Sequence, residues 1–550
     1  MALVWPGDYH TGMSSLGYLW VYRFLAQSRT ALGERFFALG QAPDERPMSL
    51  ESRRRLSDFD LIAASMVLEN DYWLLPDILR RSGLAPYRED RNRDGPMIVC
   101  GGVGVWSNPW PLLPFVDLVL LGEGENQWPI IVETYNQKDF LALDYFERLR
   151  HLVTVVPGAL APGLCHFGAE IEGFGFGPND CLSPDGHLSK VRSSLLKWPF
   201  DDRLTPPSSP ILTPLTEFPM TTLVEISRGC PWGCRFCLAG YLYRPHRPWS
   251  FESIIKAAYS MVETSGRVGL VSPAVADHPE LGKILEALIE NGTSVGVSSM
   301  RLSSLTENLA KYLSRAGLNA LAVAPEAGSQ RLRNVINKNL NESEVLSSAR
   351  LLAGHGLKRL KLYFMIGLPD ENEDDLRDLA QLVSLVKKET RVGRGGPKIS
   401  VSVSNFTPKP QTPFEDRPLL TEREMRERGK KVTDYLAKIG DLELRIDPPK
   451  GAILQGLLSR GGPNSHLLVK AQMDSRGQLG AALRAIGYGP DHPIHRPFGA
   501  QKPWRLISPN VGYDYLASEA LLAQSETPSA PCPPSLGCGR CLACEGALKR

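Results

Sequence analysis

Three cysteines, Cys230, Cys234 and Cys237, stand on one short loop directly after an apolar run, and this spacing constrains the chain more than any other feature. With three and two intervening residues, three thiolates share one turn of backbone. Thiolates are soft donors and suit iron–sulfur clusters. A cubane held by three protein thiolates keeps one iron open, and a small molecule can chelate it there. Gly229, Gly233 and Gly240 let the backbone wrap closely around such a cluster. Structural zinc fits the loop less well, because it takes four ligands and paired cysteine spacing.

The pattern around the loop is α/β. From residue 222 to about 414, apolar runs at 223–226, 268–271, 294–298, 320–324, 360–366 and 399–403 read as strands. Helical periods separate them, as at 251–264, 279–290 and 342–353. Six such units predict an open or closed parallel barrel, a partial (β/α)6 barrel over residues 216–415. Reactive groups in such barrels gather at the C-terminal strand ends. The cysteines follow the first strand, Arg301 the third and Glu326 the fourth.

Residues 1–150 alternate in the same way, with runs at 2–5, 61–67, 97–105 and 116–121 and amphipathic stretches at 13–25 and 72–79. This predicts a doubly wound, flavodoxin-like domain. Its glycine-rich turns at Gly101, Gly102 and Gly104, and at Gly122 and Gly124, lie where a sheet edge takes a nucleotide tail. Residues 151–215, rich in Gly, Pro and Ser, read as a linker. Residues 416–525 read as a helical or mixed region, and 526–550 as a Cys-rich tail.

Charge excludes little: 62 Lys and Arg against 60 Asp and Glu leave a net +2, with no electrostatic case for nucleic acid or a membrane surface. No run is long enough to span a bilayer, and the first residues lack the basic region of a signal peptide. A cytoplasmic, reducing setting is the expectation, in which clustered cysteines bind metal more often than they form disulfides. Four more, Cys532, Cys538, Cys541 and Cys544, make a complete ligand set within 13 residues. A second [4Fe–4S] cluster and a tetrahedral zinc both fit it. Cys100, Cys165 and Cys181 stand apart and read as structural.

The segment SRGCPWGCRFCLAGYLYRP (227–245) resembles the radical S-adenosylmethionine (radical SAM) proteins that carry an N-terminal cobalamin-binding-like domain, and within them an uncharacterised bacterial subfamily. APEAGSQRLRNVINKN (324–339), KLYFMIGLPDENEDDL (361–376), NFTPKPQTPF (405–414), GMSSLG (12–17) and GEGEN (122–126) match it too. The resemblance implies a [4Fe–4S] cluster on Cys230, Cys234 and Cys237, with SAM on the open iron and an electron donor such as flavodoxin or ferredoxin. It implies that Arg301 and Glu326 fix the SAM carboxylate and amine, that Ser299 bonds ribose or carboxylate, and that 363–366 flank the adenine. The alternative for Arg301 and Glu326 is an ion pair with each other or at the surface. Where many relatives carry a Gly-Gly-Glu turn, this chain has Val271, Ser272, Pro273 and Ala274, a departure that puts the usual amine contact in doubt.

The domain order also invites cobalamin, with Gly101 and Gly102 at its nucleotide tail. His10, one residue out of register from an Asp-x-His-x-x-Gly motif, is a candidate cobalt ligand. Three functions follow: methyl transfer from cobalamin to an unactivated carbon, a cobalamin-free radical modification of RNA or protein, and a non-catalytic iron–sulfur assembly or regulatory protein.

Overall fold

The cysteine loop lies between two mostly parallel sheet systems that the chain builds in sequence. The computed structural model describes residues 1–40, 45–167, 181–182, 205–297, 300–392, 395–499, 502–507, 510–533 and 538–544. The first sheet holds β1 (Ala2–Trp5), β2 (Glu34–Phe37), β3 (Leu61–Ser65), β4 (Met97–Gly101), β5 (Leu118–Leu120) and β6 (Ala159–Leu160), in the order β2-β1-β3-β4-β5-β6. The first five run parallel and β6 pairs antiparallel with β5. An order of 2-1-3-4-5 is the flavodoxin-like one, with ligand sites outside the carboxyl ends of the strands.

The apolar run expected as one strand over 97–105 divides. Gly102 has φ +113°, and a Cβ there would stand 2.5 Å from the Met66 carbonyl oxygen. The chain therefore turns at Gly102 and enters a short helix, Val103–Ser107. Sequence periodicity also misses β2.

The second sheet is a half-open barrel. β7 (Thr222–Glu225), β8 (Arg267–Val271) and β9 (Ser294–Val297) form one parallel piece in the order β9-β8-β7. β10 (Ala320–Glu326), β11 (Arg359–Ile366), β12 (Lys398–Asn405) and β13 (Glu443–Ile446) form the other. A parallel bridge between Met300 and Val323 joins the two. The six expected strands are present, and β13 is a seventh, inside the region read as helical or mixed.

Helices α1 (Phe251–Ser265), α2 (Leu281–Glu290), α3 (Glu307–Arg315), α4 (Glu342–Gly354) and α5 (Glu373–Glu389) cover the barrel. Their apolar faces bury Ile254, Ile284, Leu285, Val345 and Val383 against Val224, Leu270, Leu362 and Val401. Burial of this kind contributes roughly 1.5–3 kcal/mol for each large aliphatic side chain. The caps are local. Asn372 accepts the amides of Asp374 and Asp375 at the start of α5, and Asp375 returns a bond to the Asn372 amide.

The C-terminal region folds back on the first domain. Leu454, Leu457, Leu458 and Leu468 pack in the same core as Ile62, Ile98 and Trp106. The Asn108 side-chain amide donates to the Ser459 and Gly461 carbonyls at 3.0 and 2.9 Å. Among the described residues no helix is long and apolar enough to cross a membrane.

Candidate active site

β7 ends at Glu225, and the cysteine loop begins within five residues. Gly229 makes the turn possible. Its φ is +78°, and a Cβ there would stand 2.3 Å from the Tyr243 carbonyl oxygen. The loop is fixed at Arg235 by two backbone bonds, from the Arg235 amide to the Ile336 carbonyl at 3.0 Å and from the Phe414 amide to the Arg235 carbonyl at 3.3 Å. The amide of Cys237 turns back on the Cys234 carbonyl at 3.0 Å.

Cys234 is buried, and Cys230 and Cys237 are half-buried beside it. Burial first, then Cys234 and Cys237, push the Cys230 thiol up to about 12. Burial first, then Cys234, raise Cys237. Cys230 and Cys237 resist ionisation where they stand, and a bound cation would favour their thiolates. Among the described residues no group of three Cys, His, Asp or Glu side chains stands ready to hold a single metal ion.

Around the loop the structure gathers charged groups that the sequence only partly announces. The Arg301 guanidinium lies over the Trp232 ring, 3.6 Å from its centroid. It also donates through Nη2 to the Lys338 and Asn339 carbonyls, the latter at 2.7 Å, and through Nε to Ser303 at 2.9 Å. The Trp232 indole N–H donates to Asp277 Oδ2 at 3.0 Å. Glu326 sits at the end of β10 with φ +66°, and its Oε1 accepts from Lys338 Nζ at 3.1 Å. Burial lowers the Lys338 ammonium, but the charges of Glu326 and Cys234 outweigh it and its pKa is raised. Arg301 and Glu326 thus form no ion pair with each other: one stacks on the cysteine loop, the other reaches it through Lys338.

Lys338, Trp232 and Asp277 escaped the sequence reading. Ser299 lies outside the described residues. In the turn that replaces Gly-Gly-Glu, the Ser272 hydroxyl accepts the Ala274 amide at 3.0 Å and pairs with the Ser227 hydroxyl at 2.6 Å. At the end of β11, the Gly367 amide donates to Glu371, which Arg428 holds.

Arg235, between the second and third cysteines, is fully buried. Its guanidinium donates to Glu519 at 3.1 Å, to the Asn334 and Val335 carbonyls at 3.0 and 2.9 Å, and to the Thr527 carbonyl at 2.8 Å. Arg235→Ala leaves the Glu519 carboxylate buried without its cation. A loss of about 3–5 kcal/mol is expected, read as a lower denaturation midpoint; Arg235→Lys, which keeps the charge, should recover part of it.

The two sheets meet at a second site. Arg228 donates to Glu225 at 2.9 Å and to Glu125 at 2.7 Å, and pairs with Glu123 at 3.2 Å. Arg247 holds Glu123 from the other side, at 3.0 Å through Nη1. The GEGEN turn of the first domain therefore grips the root of the cysteine loop. Beside it opens a cavity of about 370 Å³, within the range of small-molecule sites. Gly101, Gly102, Trp20, Trp128, Arg228 and Gly229 are among its walls. His10 is not: it lies on the surface and faces Glu217 at 3.5 Å. Cys100 is buried in the sheet, where burial raises its thiol.

A flavodoxin-like domain docked on a half-open parallel barrel, with three thiols after the first barrel strand, is the arrangement that the sequence resemblance implies. The family models agree. Residues 17–162 match the N-terminal domain of radical SAM proteins and residues 224–383 match the radical SAM superfamily. The barrel segment 224–383 thus matches the radical SAM superfamily, and the domain ahead of it matches the N-terminal domain of radical SAM proteins.

An uncharacterised protein of Methanocaldococcus jannaschii is 26% identical over 84% of this chain and 89% of its own length. The anaerobic magnesium-protoporphyrin IX monomethyl ester cyclase of Cereibacter sphaeroides is 23% identical over 48% of this chain and 40% of its own. Among solved structures, the cobalamin-dependent SAM radical enzyme OxsB aligns over 90% of this chain and 73% of its own, at 14% identity and a TM-score of 0.48. The radical SAM methyltransferase TsrM of Kitasatospora setae aligns over 73% and 74%, at 12% identity and 0.46.

Proposed function

We propose that this protein cleaves SAM reductively at a [4Fe–4S] cluster on Cys230, Cys234 and Cys237, and that it uses cobalamin to methylate an unactivated carbon. The loop with its three closely spaced thiols carries the first part. When bound, such a cluster supplies one electron to the SAM sulfonium, which parts at the C5′–S bond into methionine and a 5′-deoxyadenosyl radical. Trp232 and Arg301 wall the loop on one side. Glu326, held by Lys338, offers a carboxylate to the SAM amine from the end of β10. Ser299 is kept as a candidate for ribose or carboxylate. A donor of the flavodoxin or ferredoxin class supplies the electron.

The cavity at the carboxyl ends of β3 to β5, of a size for the nucleotide tail of cobalamin and not for the whole molecule, supports the second part. Gly101 and Gly102 give its floor a bare backbone, and Gly229 ties it to the cysteine loop. When bound there, cobalamin would supply the methyl group. Anaerobic protein reconstituted with cobalamin, iron and sulfide tests both parts: 5′-deoxyadenosine should form from SAM and a reductant, and cobalt should remain after desalting. Gly102→Ala should lower cobalt retention, because its Cβ meets the Met66 carbonyl and its positive φ costs about 1–3 kcal/mol for alanine. Cobalt that washes off the unaltered protein would overturn the cobalamin reading.

The surface position of His10 favours a second reading, a cobalamin-free radical enzyme acting on RNA or protein. Under it, 5′-deoxyadenosine forms whether or not cobalt is present. In either reading we take the tail thiols Cys532, Cys538, Cys541 and Cys544 to be a second metal-binding set, for iron–sulfur or zinc.

A further inference from the structure

The tail does not trail away from the enzyme. After the helix Tyr513–Gln524 the chain runs back over the cysteine loop. Thr527 accepts from Arg235, and the Ser529 hydroxyl meets both the Asn337 side chain at 2.8 Å and Glu519 at 3.0 Å. The Cys532 amide then donates to the Pro231 carbonyl at 2.7 Å, one residue from Cys230.

We propose that Cys532, Cys538, Cys541 and Cys544 bind a second [4Fe–4S] cluster, ligated by cysteine on all four irons, and that this cluster clasps the C-terminal strap over the loop of the first. The inference rests on the reading of these thiols as a metal-binding set. The strap doubles back on itself, because Arg540 Nη2 donates to the Pro531 carbonyl at 2.9 Å and so brings the 538–541 turn to Cys532. The Gly512 amide fixes the Cys541 carbonyl at 3.1 Å. Cys541 and Ala543 are buried against Tyr241, Val511 and Leu516, which faces the turn inward. All four sulfurs are free thiols.

The cation next to them is Arg244, whose guanidinium lies 5.2 Å from the Tyr241 ring centroid and donates to the Tyr515 hydroxyl at 3.1 Å. A buried arginine suits a cluster that four thiolates make anionic. Four thiolates at this spacing fit zinc as well, and their arrangement favours iron–sulfur. Cys538, Cys541 and Cys544 form a C-x2-C-x2-C run with the fourth ligand remote, as in ferredoxin-type sites. Zinc modules pair their cysteines in two separate knuckles.

The experiment counts iron, sulfide and zinc in anaerobically reconstituted full-length protein and in variants. The unaltered chain should hold two cubanes' worth of iron and sulfide. Cys230→Ala/Cys234→Ala/Cys237→Ala should keep half, with a reduced-cluster electron paramagnetic resonance signal that SAM does not move. Cys538→Ala/Cys541→Ala should keep the other half, with a signal that SAM does shift, and proteases should now cut the strap beyond Gln524. Cys541 is buried, so Cys538→Ala alone, at the outer edge of the turn, guards against misfolding and should give the same iron loss. A first-set variant empty of iron and sulfide, or one that holds zinc instead, overturns the proposal. So does a tail variant with its iron and its protease resistance unchanged. Iron untouched by the first-set substitutions would instead overturn the assignment of Cys230, Cys234 and Cys237, and leave the tail site standing.

Discussion

Gly328→Ala should destabilise this protein by about 4–5 kcal/mol or more, the range reached only by a few severe mechanisms. The cause is contact between two backbones. Gly328 follows Glu326 at the end of β10, and a Cβ on it would stand 2.0 Å from the Leu379 amide nitrogen and 2.2 Å from the Leu379 Cα. Those atoms belong to the middle of α5, so no side-chain rotation relieves the overlap. The same turn is bolted to α5 by Ser329, whose hydroxyl donates to Asp375 at 2.5 Å, and by Arg331, which pairs with the other oxygen of that carboxylate. Either the helix moves off the barrel or the turn moves away from the cysteine loop and takes Glu326 with it. The denaturation midpoint and the SAM dissociation constant should therefore worsen together. Shortening the neighbour, as in Gly328→Ala/Leu379→Ala, should rescue neither. Recovery in that double variant would show that side-chain crowding was the cause.

Much of this fold could be read from the pattern of apolar runs, because parallel strands buried on both faces are nearly continuous in Val, Ile and Leu. What stayed hidden had local polar reasons. β2 begins with Glu34 and Arg35, and neither looks like a buried strand residue. Both are buried because they have partners: the Ser52 hydroxyl donates to Glu34 at 2.6 Å, and Arg35 donates to Glu51 at 2.6 Å. β13 carries Glu443 and Arg445 on an exposed edge, where an amphipathic signal has no buried face to report.

The candidate site divides in the same way. The three cysteines announce themselves because their ligand chemistry is encoded within eight residues. Arg301 and Glu326 were visible as strand-end charges. Lys338 was not, since only the fold brings it back to Glu326. Arg235 reads as a spacer between two cysteines until Glu519, 284 residues later, is packed against it. The tail thiols are legible as a ligand set, but their seat on the Cys230 loop depends on one backbone bond to Pro231 that no spacing reveals.

Removing the loop thiols should abolish the proposed chemistry while leaving the fold nearly intact. In Cys230→Ala/Cys234→Ala/Cys237→Ala, 5′-deoxyadenosine formation should fall to the rate without enzyme. The metal-free protein should lose only about 1 kcal/mol, because an unligated cysteine packs as a small apolar residue and alanine keeps most of that burial. The loop has other supports that survive the change: the Arg235 hub, the Asn337 side chain on the Gly233 carbonyl at 2.9 Å, and Trp232 between Arg301 and Asp277. The single variant Cys234→Ala should already lose as much activity as the triple, since ligands that act as one unit do not contribute additively. Three independent structural thiols would behave differently, each removing a part of the stability and none of them the whole activity. Denaturation midpoints measured with and without reconstituted iron make the distinction. The unaltered chain should gain stability on taking up iron at this loop. Cys234→Ala should gain less, by the share of binding that the first cluster contributes.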